Sequence, residues 1–343
     1  MSLSAIRGHS SALEFIHRAL HRDRLHHAYL FAGPSGVGKG MVAHAFAQAL
    51  LCESPVSGDS CGACNTCGRV AVGQHADLHI MRREDKKAGG VERHIKIHQV
   101  RELQRALAFK AYEGTRRVIL IFEPESMTAS TANALLKTLE EPGDDTHFIL
   151  VSHAAHRLLP TVISRCQKVR FGPLDTEVVA ELILQNGDID AERADLIARL
   201  SEGSVGRGLH LIESETLTAR DTLLTLLENG SHQPLTAVLE QAETLSKVDP
   251  VQELPMIFHL LRTWFRDLFV IKVAGVTDRV VNVDRLQSLE AMAGDLSAEV
   301  IQMRLNRINS AAQAILERMA NARLVLESLL VDLIGRTPHG GAT

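Results

Sequence analysis

The sequence has few aromatic residues and no long apolar run. Phe, Tyr and Trp together make up 4% of the 343 residues, with one Trp and two Tyr. This scarcity argues against rows of rings on which nucleic-acid bases stack. No apolar run reaches the roughly 18 residues of a membrane-spanning helix, and the N-terminus lacks the apolar core of a signal peptide. We therefore expect a cytoplasmic protein with no membrane partner.

The chain also lacks an excess of positive charge. Lys and Arg number 37 against 41 Asp and Glu, which gives a net charge of −4 and excludes a protein that coats nucleic acid by bulk charge. The charge is nevertheless uneven, with a net +6 over residues 69–117 and −11 over residues 118–343. The basic segment is either a surface that faces DNA or a set of solvated helix faces.

Short apolar runs alternate with helical patterns in the first half of the chain. The runs predict strands over 27–32, 118–122 and 148–151, and a helix over 128–141. Strand patterns disappear from residue 174 onward, and the last long helical segment is expected to break near Asn321. This order predicts an α/β domain with a parallel sheet flanked by helices, followed by helical domains.

The stretch GPSGVGKG at 33–40 connects the first predicted strand to a helix. It matches the phosphate-binding pattern G-x-x-x-x-G-K-[ST] in all but its last position. In such loops the backbone amides bind phosphate, and the lysine reaches the terminal phosphates. The candidate phosphate-binding residues are Gly33, Gly36, Gly38 and Lys39. The last position is Gly40, which has no hydroxyl group to bind Mg²⁺.

A second ligand of Mg²⁺ is also missing. Nucleotide hydrolases hold the metal with an Asp at the end of a hydrophobic strand, often followed by a Glu. Here Phe122 takes the Asp position, and Glu123 matches the neighbouring acid alone. We therefore expect no Mg²⁺ site, weak or no nucleotide binding and no intrinsic ATP hydrolysis.

Four of the five cysteines lie within sixteen residues of one another. Cys52, Cys61, Cys64 and Cys67 have the spacing C-x8-C-x2-C-x2-C. Four thiolates at such spacing suit one tetrahedral Zn²⁺, and clustered cysteines in a cytosolic protein are more often metal ligands than disulfides. The sequence predicts a structural zinc site, with reduced thiols or an iron–sulfur cluster as alternatives.

Together these segments resemble the AAA+ clamp-loader family of bacterial DNA polymerase III. The resemblance rests on HAYLFAGPSGVGKG, the four-cysteine module, ANALLKTLEEP and HRLLPTVISRC. The family has an ATPase motor branch (gamma/tau) and a non-hydrolysing delta-prime branch. Gly40, Phe122, Ser152-His153 and Gly206, which stands where motors carry a sensing Arg, all resemble the delta-prime branch.

The resemblance gives a role to Ser164, Arg165 and Cys166. In the family this tripeptide supplies an arginine finger in trans, so Arg165 would reach the γ-phosphate of ATP bound by a neighbouring subunit. A planar guanidinium stabilises charge that develops there in the transition state. The implied function is a delta-prime-like stator of the clamp loader, which helps to load the sliding clamp onto primed DNA in replication.

The resemblance also implies the domains and the partners. The domains would be an AAA+ domain over 1–172 with the zinc module at 52–67, a lid over 173–212, a collar over 213–336 and a flexible tail over 337–343. The partners would be the gamma/tau ATPase subunits, the delta subunit, the sliding clamp and primed DNA. The chain would belong to the DNA polymerase (nucleotidyltransferase) holoenzyme without catalysis of its own.

The competing hypothesis is a catalytically active, gamma/tau-like ATPase motor. Such a chain would hold the metal by unusual ligands, with Glu123 as the catalytic acid. ATP turnover by the isolated chain distinguishes the two hypotheses.

Overall fold

A computed structural model of the chain describes residues 2–84, 92, 94–114, 116–143, 145–250 and 253–335. The predicted tail over 337–343 lies outside these residues. The described chain forms two compact units. The first contains the residues up to Val178 together with Gly203–Gly206, and the second contains Val179–Glu202 and the described residues from Arg207 onward. The division into AAA+, lid and collar domains stays a prediction.

The first unit is built on a five-stranded parallel sheet. Its strands are β1 (Ala28–Ala32), β2 (Leu78–Met81), β3 (Arg117–Phe122), β4 (Thr146–Ser152) and β5 (Gln167–Arg170). They are arranged in the order β2-β3-β4-β1-β5, with every neighbouring pair parallel. Strands β1, β3 and β4 are almost wholly buried, which explains their continuous apolar sequences.

Helices cover both faces of the sheet. They are α1 (Ser10–His21), α2 (Lys39–Leu51), α3 (Asn65–Ala71), α4 (Ile97–Leu107), α5 (Ala129–Glu140) and α6 (Pro160–Ile163). Alternate strand residues point into two separate cores. Phe31 packs with Phe46 of α2 on one face, and Leu30 packs with Leu135 of α5 on the other. The predicted α/β fold class is confirmed.

The second unit consists of helices. They are α7 (Thr176–Asn186, which begins in the first unit), α8 (Ala191–Leu200), α9 (Val205–Glu213, likewise), α10 (Thr216–Asn229), α11 (Leu235–Ser246), α12 (Glu253–Ala274), α13 (Leu286–Asp295), α14 (Ala298–Leu316) and α15 (Ala322–Leu333). Trp264 and Leu268 of α12 are fully buried in its core. The predicted break near Asn321 is confirmed, because the Asn321 side chain caps α15 by accepting the Leu324 N–H at 3.2 Å. No described helix is long and apolar enough to span a membrane.

Candidate functional site

The glycine-rich loop lies at the carboxyl edge of the sheet, between β1 and α2. Gly36 and Gly38 have φ angles of 73° and 101°, a region that favours glycine. Lys39 is 5% exposed, and its Nζ donates to the carbonyl oxygen of Gly33 at 2.9 Å and to that of Pro34. Burial lowers the pKa of Lys39 to about 8, against the opposing effect of the Glu125 carboxylate. The ammonium group is therefore bound by the loop itself.

Two further carbonyl groups of the loop have partners within the first unit. The Val37 carbonyl oxygen lies 2.6 Å from Nε2 of His9, and the Gly36 carbonyl accepts the Gly206 N–H at 2.9 Å. A Cβ atom at position 206 would lie 3.0 Å from the Cα of Gly36. A sensing Arg at this position, as in the motor subunits, would therefore require the loop to shift.

The two residues that replace the expected Mg²⁺ ligands lie against each other. A Cβ atom at Gly40 would lie 3.4 Å from Cε1 of Phe122. The Phe122 ring also stacks on His44 of α2, with ring centroids 5.6 Å apart. An aromatic surface therefore faces the position where the loop hydroxyl and the strand-end carboxylate would hold the metal.

The acid next to this position is more exposed than the one two residues later. Glu123 has a left-handed backbone, with φ 51°, and its carboxylate pairs with Nε of Arg83 at 2.5 Å. Glu125, whose side chain is 4% exposed, accepts from Nδ1 of His153 at 2.8 Å. Burial raises the pKa of Glu125, but the hydrogen bond from His153 and the neighbouring donors outweigh it and leave the pKa at about 2. Glu125 was not predicted as part of the site, because a metal-binding acid is expected directly after the strand.

Arg165 lies at the amino end of the parallel strands, whereas the glycine-rich loop lies at their carboxyl end. It precedes β5, whose first residue is paired in register with Tyr29 near the start of β1, whereas the loop follows the end of β1. A strand of this length separates the two by about 15 Å. The guanidinium donates to the Thr161 carbonyl at 2.8 Å and pairs with Glu140, and the side chain is 32% exposed.

The other two residues of the tripeptide have different surroundings. Ser164 is exposed, and its hydroxyl donates to the Thr161 carbonyl at 3.2 Å. Cys166 packs against the core on one face of the sheet, and burial raises the pKa of its thiol to about 12. Cys166 is therefore a packing residue, whereas the side chains of Ser164 and Arg165 reach the surface.

The four clustered cysteines form one site. The Sγ atoms of Cys52, Cys61, Cys64 and Cys67 all lie within 4.8 Å of one another. Sulfur atoms bound tetrahedrally to Zn²⁺ at ~2.3 Å would be about 3.8 Å apart, and the Sγ atoms of Cys61 and Cys67 are 3.9 Å apart. Backbone N–H groups of Cys61, Cys64 and Cys67 each point at the sulfur of another member at 3.4 Å. The geometry fits a metal ion held by four thiolates.

Buried polar side chains hold this module on the rest of the first unit. Asp59 accepts the N–H groups of Leu3 and Ser4 at 3.0 and 2.9 Å. Gln48 of α2 donates to the Cys67 carbonyl at 2.8 Å. Burial raises the pKa of the Asp59 carboxyl, but these amide hydrogen bonds outweigh it and leave the pKa below its ordinary value. The module is therefore attached to both the N-terminus and α2.

Gly33 of the glycine-rich loop is required by the fold itself. A Cβ atom there would lie 2.1 Å from the carbonyl oxygen of Phe171, whose own N–H bonds to the Ala32 carbonyl at 2.8 Å. We expect Gly33→Ala to lower the free energy of unfolding by about 2 kcal/mol or more, because the backbone must shift. Denaturant titration measures this change. The matched control is Gly172→Ala, whose Cβ meets nothing within 4 Å; equal effects of the two substitutions would contradict the prediction.

Comparison with known proteins identifies the family. The family model described as "DNA polymerase III, delta subunit" matches residues 8–175, and the one described as "DNA polymerase III, delta subunit, C terminal" matches residues 214–335. The delta' subunit of DNA polymerase III from Bacillus subtilis is 29% identical over 82% of this chain and 83% of its own length. The chain belongs to the DNA polymerase III delta' family of clamp-loader subunits. This confirms the resemblance drawn from the motifs.

Other relatives include members of both branches. The delta' subunit of Pseudomonas aeruginosa is 43% identical over 41% of each chain. The tau subunit of Escherichia coli is 28% identical over 87% of this chain and 46% of its own length. A solved structure of a gamma-subunit-related protein from Thermotoga maritima is 19% identical and has a TM-score of 0.49, with 94% of this chain and 98% of that chain covered.

Proposed function

We propose that this delta' family member is the non-hydrolysing stator of its clamp loader and completes the ATP site of a neighbouring motor subunit. One observation carries the proposal: Arg165 lies at the amino end of the parallel strands, and the chain's own glycine-rich loop lies at their carboxyl end. A guanidinium at the far end of a strand about 15 Å long cannot serve phosphates bound at the loop. It is free to serve phosphates presented by another subunit.

The degraded state of the chain's own ATP site supports this proposal. Phosphoryl transfer depends on a metal ion that neutralises charge on the β- and γ-phosphates. Gly40 and Phe122 supply no oxygen ligand, and the Phe122 ring lies against Gly40. The loop carbonyls already bind Lys39, so its ammonium group would have to leave them to reach a nucleotide.

The surroundings of Arg165 suit a finger that acts in trans. Its pairing partner Glu140 is 48% exposed, and exposed ion pairs contribute only about 0–1 kcal/mol. The guanidinium can therefore exchange Glu140 for a γ-phosphate at small cost. The hydrogen bond to the Thr161 carbonyl fixes the other end of the fork, so the group is held in position before a neighbour docks.

The remaining partners and the metal follow from family membership. We propose that the chain assembles with gamma/tau and delta subunits and helps to load the sliding clamp onto primed DNA. Contact with DNA through the basic segment at 69–117 would be independent of base sequence and sensitive to salt. The four thiolates would hold Zn²⁺, which cross-links the module between α2 and α3 and takes no part in catalysis.

The isolated, metal-loaded chain tests the stator proposal against the motor hypothesis. We expect ATP hydrolysis no faster than the protein-free blank, because both metal ligands are missing. A phosphate-release assay on the chain and on Lys39→Ala makes the measurement. Robust turnover that disappears in Lys39→Ala would show a working motor and overturn the proposal.

A further inference from the structure

An open pocket with basic walls lies between the C-terminal end of α1 and the start of β1. Its cavity measures about 480 Å³. The basic residues around it are Arg18, Arg22, Arg24 and His26, and its apolar walls include Phe15 and Leu25. The floor is Tyr29, which is 1% exposed. No carboxylate lines the pocket in the part of the chain that the structure describes.

The arginines are not needed to end the helix. The backbone N–H groups of Arg22, Asp23 and Arg24 already bind the last carbonyl groups of α1, at 3.1–3.2 Å. Such backbone bonds satisfy the acceptors that basic side chains otherwise cap. The guanidinium groups of Arg22 and Arg24 therefore have no structural task at the helix end.

Nearby carboxylates do not neutralise these guanidinium groups. Asp23 points away from the pocket to Arg116, at 2.6 Å. Glu14 approaches Arg18 only to 4.0 Å, and both side chains are more than 60% exposed. Within the described residues, no ion pair or side-chain hydrogen bond involves Arg22 or Arg24. Three like charges beside one cavity repel one another, and an anionic ligand would relieve this repulsion.

We propose that this pocket binds the phosphate groups of a nucleotide, whether free or within DNA. Guanidinium forks match phosphate oxygens bidentately. The apolar walls offer a surface for the sugar or base, and the volume lies in the range of ordinary ligand pockets. The pocket lies beside the start of β1, whereas the glycine-rich loop follows its end, so the two are separate sites. The inference does not depend on the stator function.

Direct binding measurements on the full, metal-loaded chain test this pocket. The probes are ATP and pyrophosphate by calorimetry and a fluorescein-labelled twelve-nucleotide oligo-dT by polarisation. All variants carry Lys39→Ala, which removes the ammonium group of the glycine-rich loop from every measurement alike. We expect Arg22→Ala with Arg24→Ala to weaken binding of the responding probes at least tenfold. The corresponding double Lys variant keeps the charge and loses the planar fork. Its affinity should lie between that of the chain with both arginines and that of the double Ala variant. The matched control is Arg193→Ala with Arg279→Ala, which removes two positive charges at exposed positions outside the pocket.

Each outcome decides the proposal. Loss of ATP and pyrophosphate binding in the double Ala variant supports a free nucleotide as the ligand. Loss confined to the oligonucleotide supports DNA phosphates. The proposal is overturned if no probe binds, or if binding is the same in the double Ala variant as in the matched control with two charges removed elsewhere. It is also overturned if polyglutamate displaces the phosphate probes at equal concentration, which would indicate an acidic peptide.

Discussion

In a reconstituted clamp loader, the Arg165→Ala chain is expected to slow ATP hydrolysis about 10³-fold or more at the one site that it completes. The reason is that a guanidinium stabilises negative charge developing on the γ-phosphoryl oxygens, and alanine leaves that charge to water. Single-turnover hydrolysis in the presence of primed DNA measures the effect at that site, and clamp loading should fall with it. The remaining sites of the assembly should hydrolyse at their own rates.

Two variants control this experiment. Lys168 lies three residues further along, is exposed, and forms no ion pair among the described residues. Lys168→Ala should therefore leave the rate within about twofold of that of the unmutated assembly. Arg165→Lys keeps the charge but not the planar fork, and its rate should remain close to that of Arg165→Ala. Unchanged hydrolysis and loading with Arg165→Ala would show that this residue is not the finger.

Removal of the metal is expected to have the second large effect. Cys64→Ser should abolish the binding of about one zinc ion per chain, because three thiolates no longer close a tetrahedral structural site. We expect the free energy of unfolding of the first unit to fall by at least about 3 kcal/mol, since zinc binding to a folded site contributes directly to folding. This corresponds to a drop in Tm of roughly 6–12 °C for that unit. Elemental analysis and calorimetry give the two values.

The remaining cysteine provides the matched control for the metal. Cys166 packs against the sheet and lies outside the four-cysteine cluster. Cys166→Ala should retain the zinc ion and show only the smaller loss of stability typical of a modest buried truncation. A zinc content of zero in the unmutated chain, purified without chelator, would contradict the zinc assignment, as would equal zinc content in Cys64→Ser.

The parts predictable from sequence are those in which a local pattern determines the structure. The apolar runs of β1, β3 and β4 stand out because these strands are buried on both faces. The short strand β2 was not predicted. It has only four residues, and Ile80 within it is 37% exposed, so its sequence has neither a continuous apolar run nor a clear alternation.

The unpredicted parts of the candidate sites depend on residues brought together by the fold. Glu125 and His153 are separated by 28 positions and meet because β3 and β4 are parallel neighbours. The basic pocket lies between the end of α1 and the start of β1. Its positive charge is not neutralised by Asp23, because the Asp23 carboxylate pairs with Arg116. The neutralisation of a charge by a distant partner has no signature in local sequence.

The residues of the glycine-rich loop have a role in the fold that does not depend on a nucleotide. Gly33 is required by the approach of the Phe171 carbonyl, and Lys39 binds two carbonyl groups of the loop. Both residues therefore contribute to the fold without a nucleotide. A sequence match at these positions indicates the strand, loop and helix more securely than it indicates ATP hydrolysis.

We propose that this chain activates a neighbour's ATP site and does not use its own. The most direct test compares Lys39→Ala and Arg165→Ala side by side in the reconstituted loader, with ATP hydrolysis on primed DNA as the measurement. We expect a rate close to that of the unmutated assembly for Lys39→Ala and a severe loss at one site for Arg165→Ala. The opposite pattern, with loss from Lys39→Ala and none from Arg165→Ala, would contradict it.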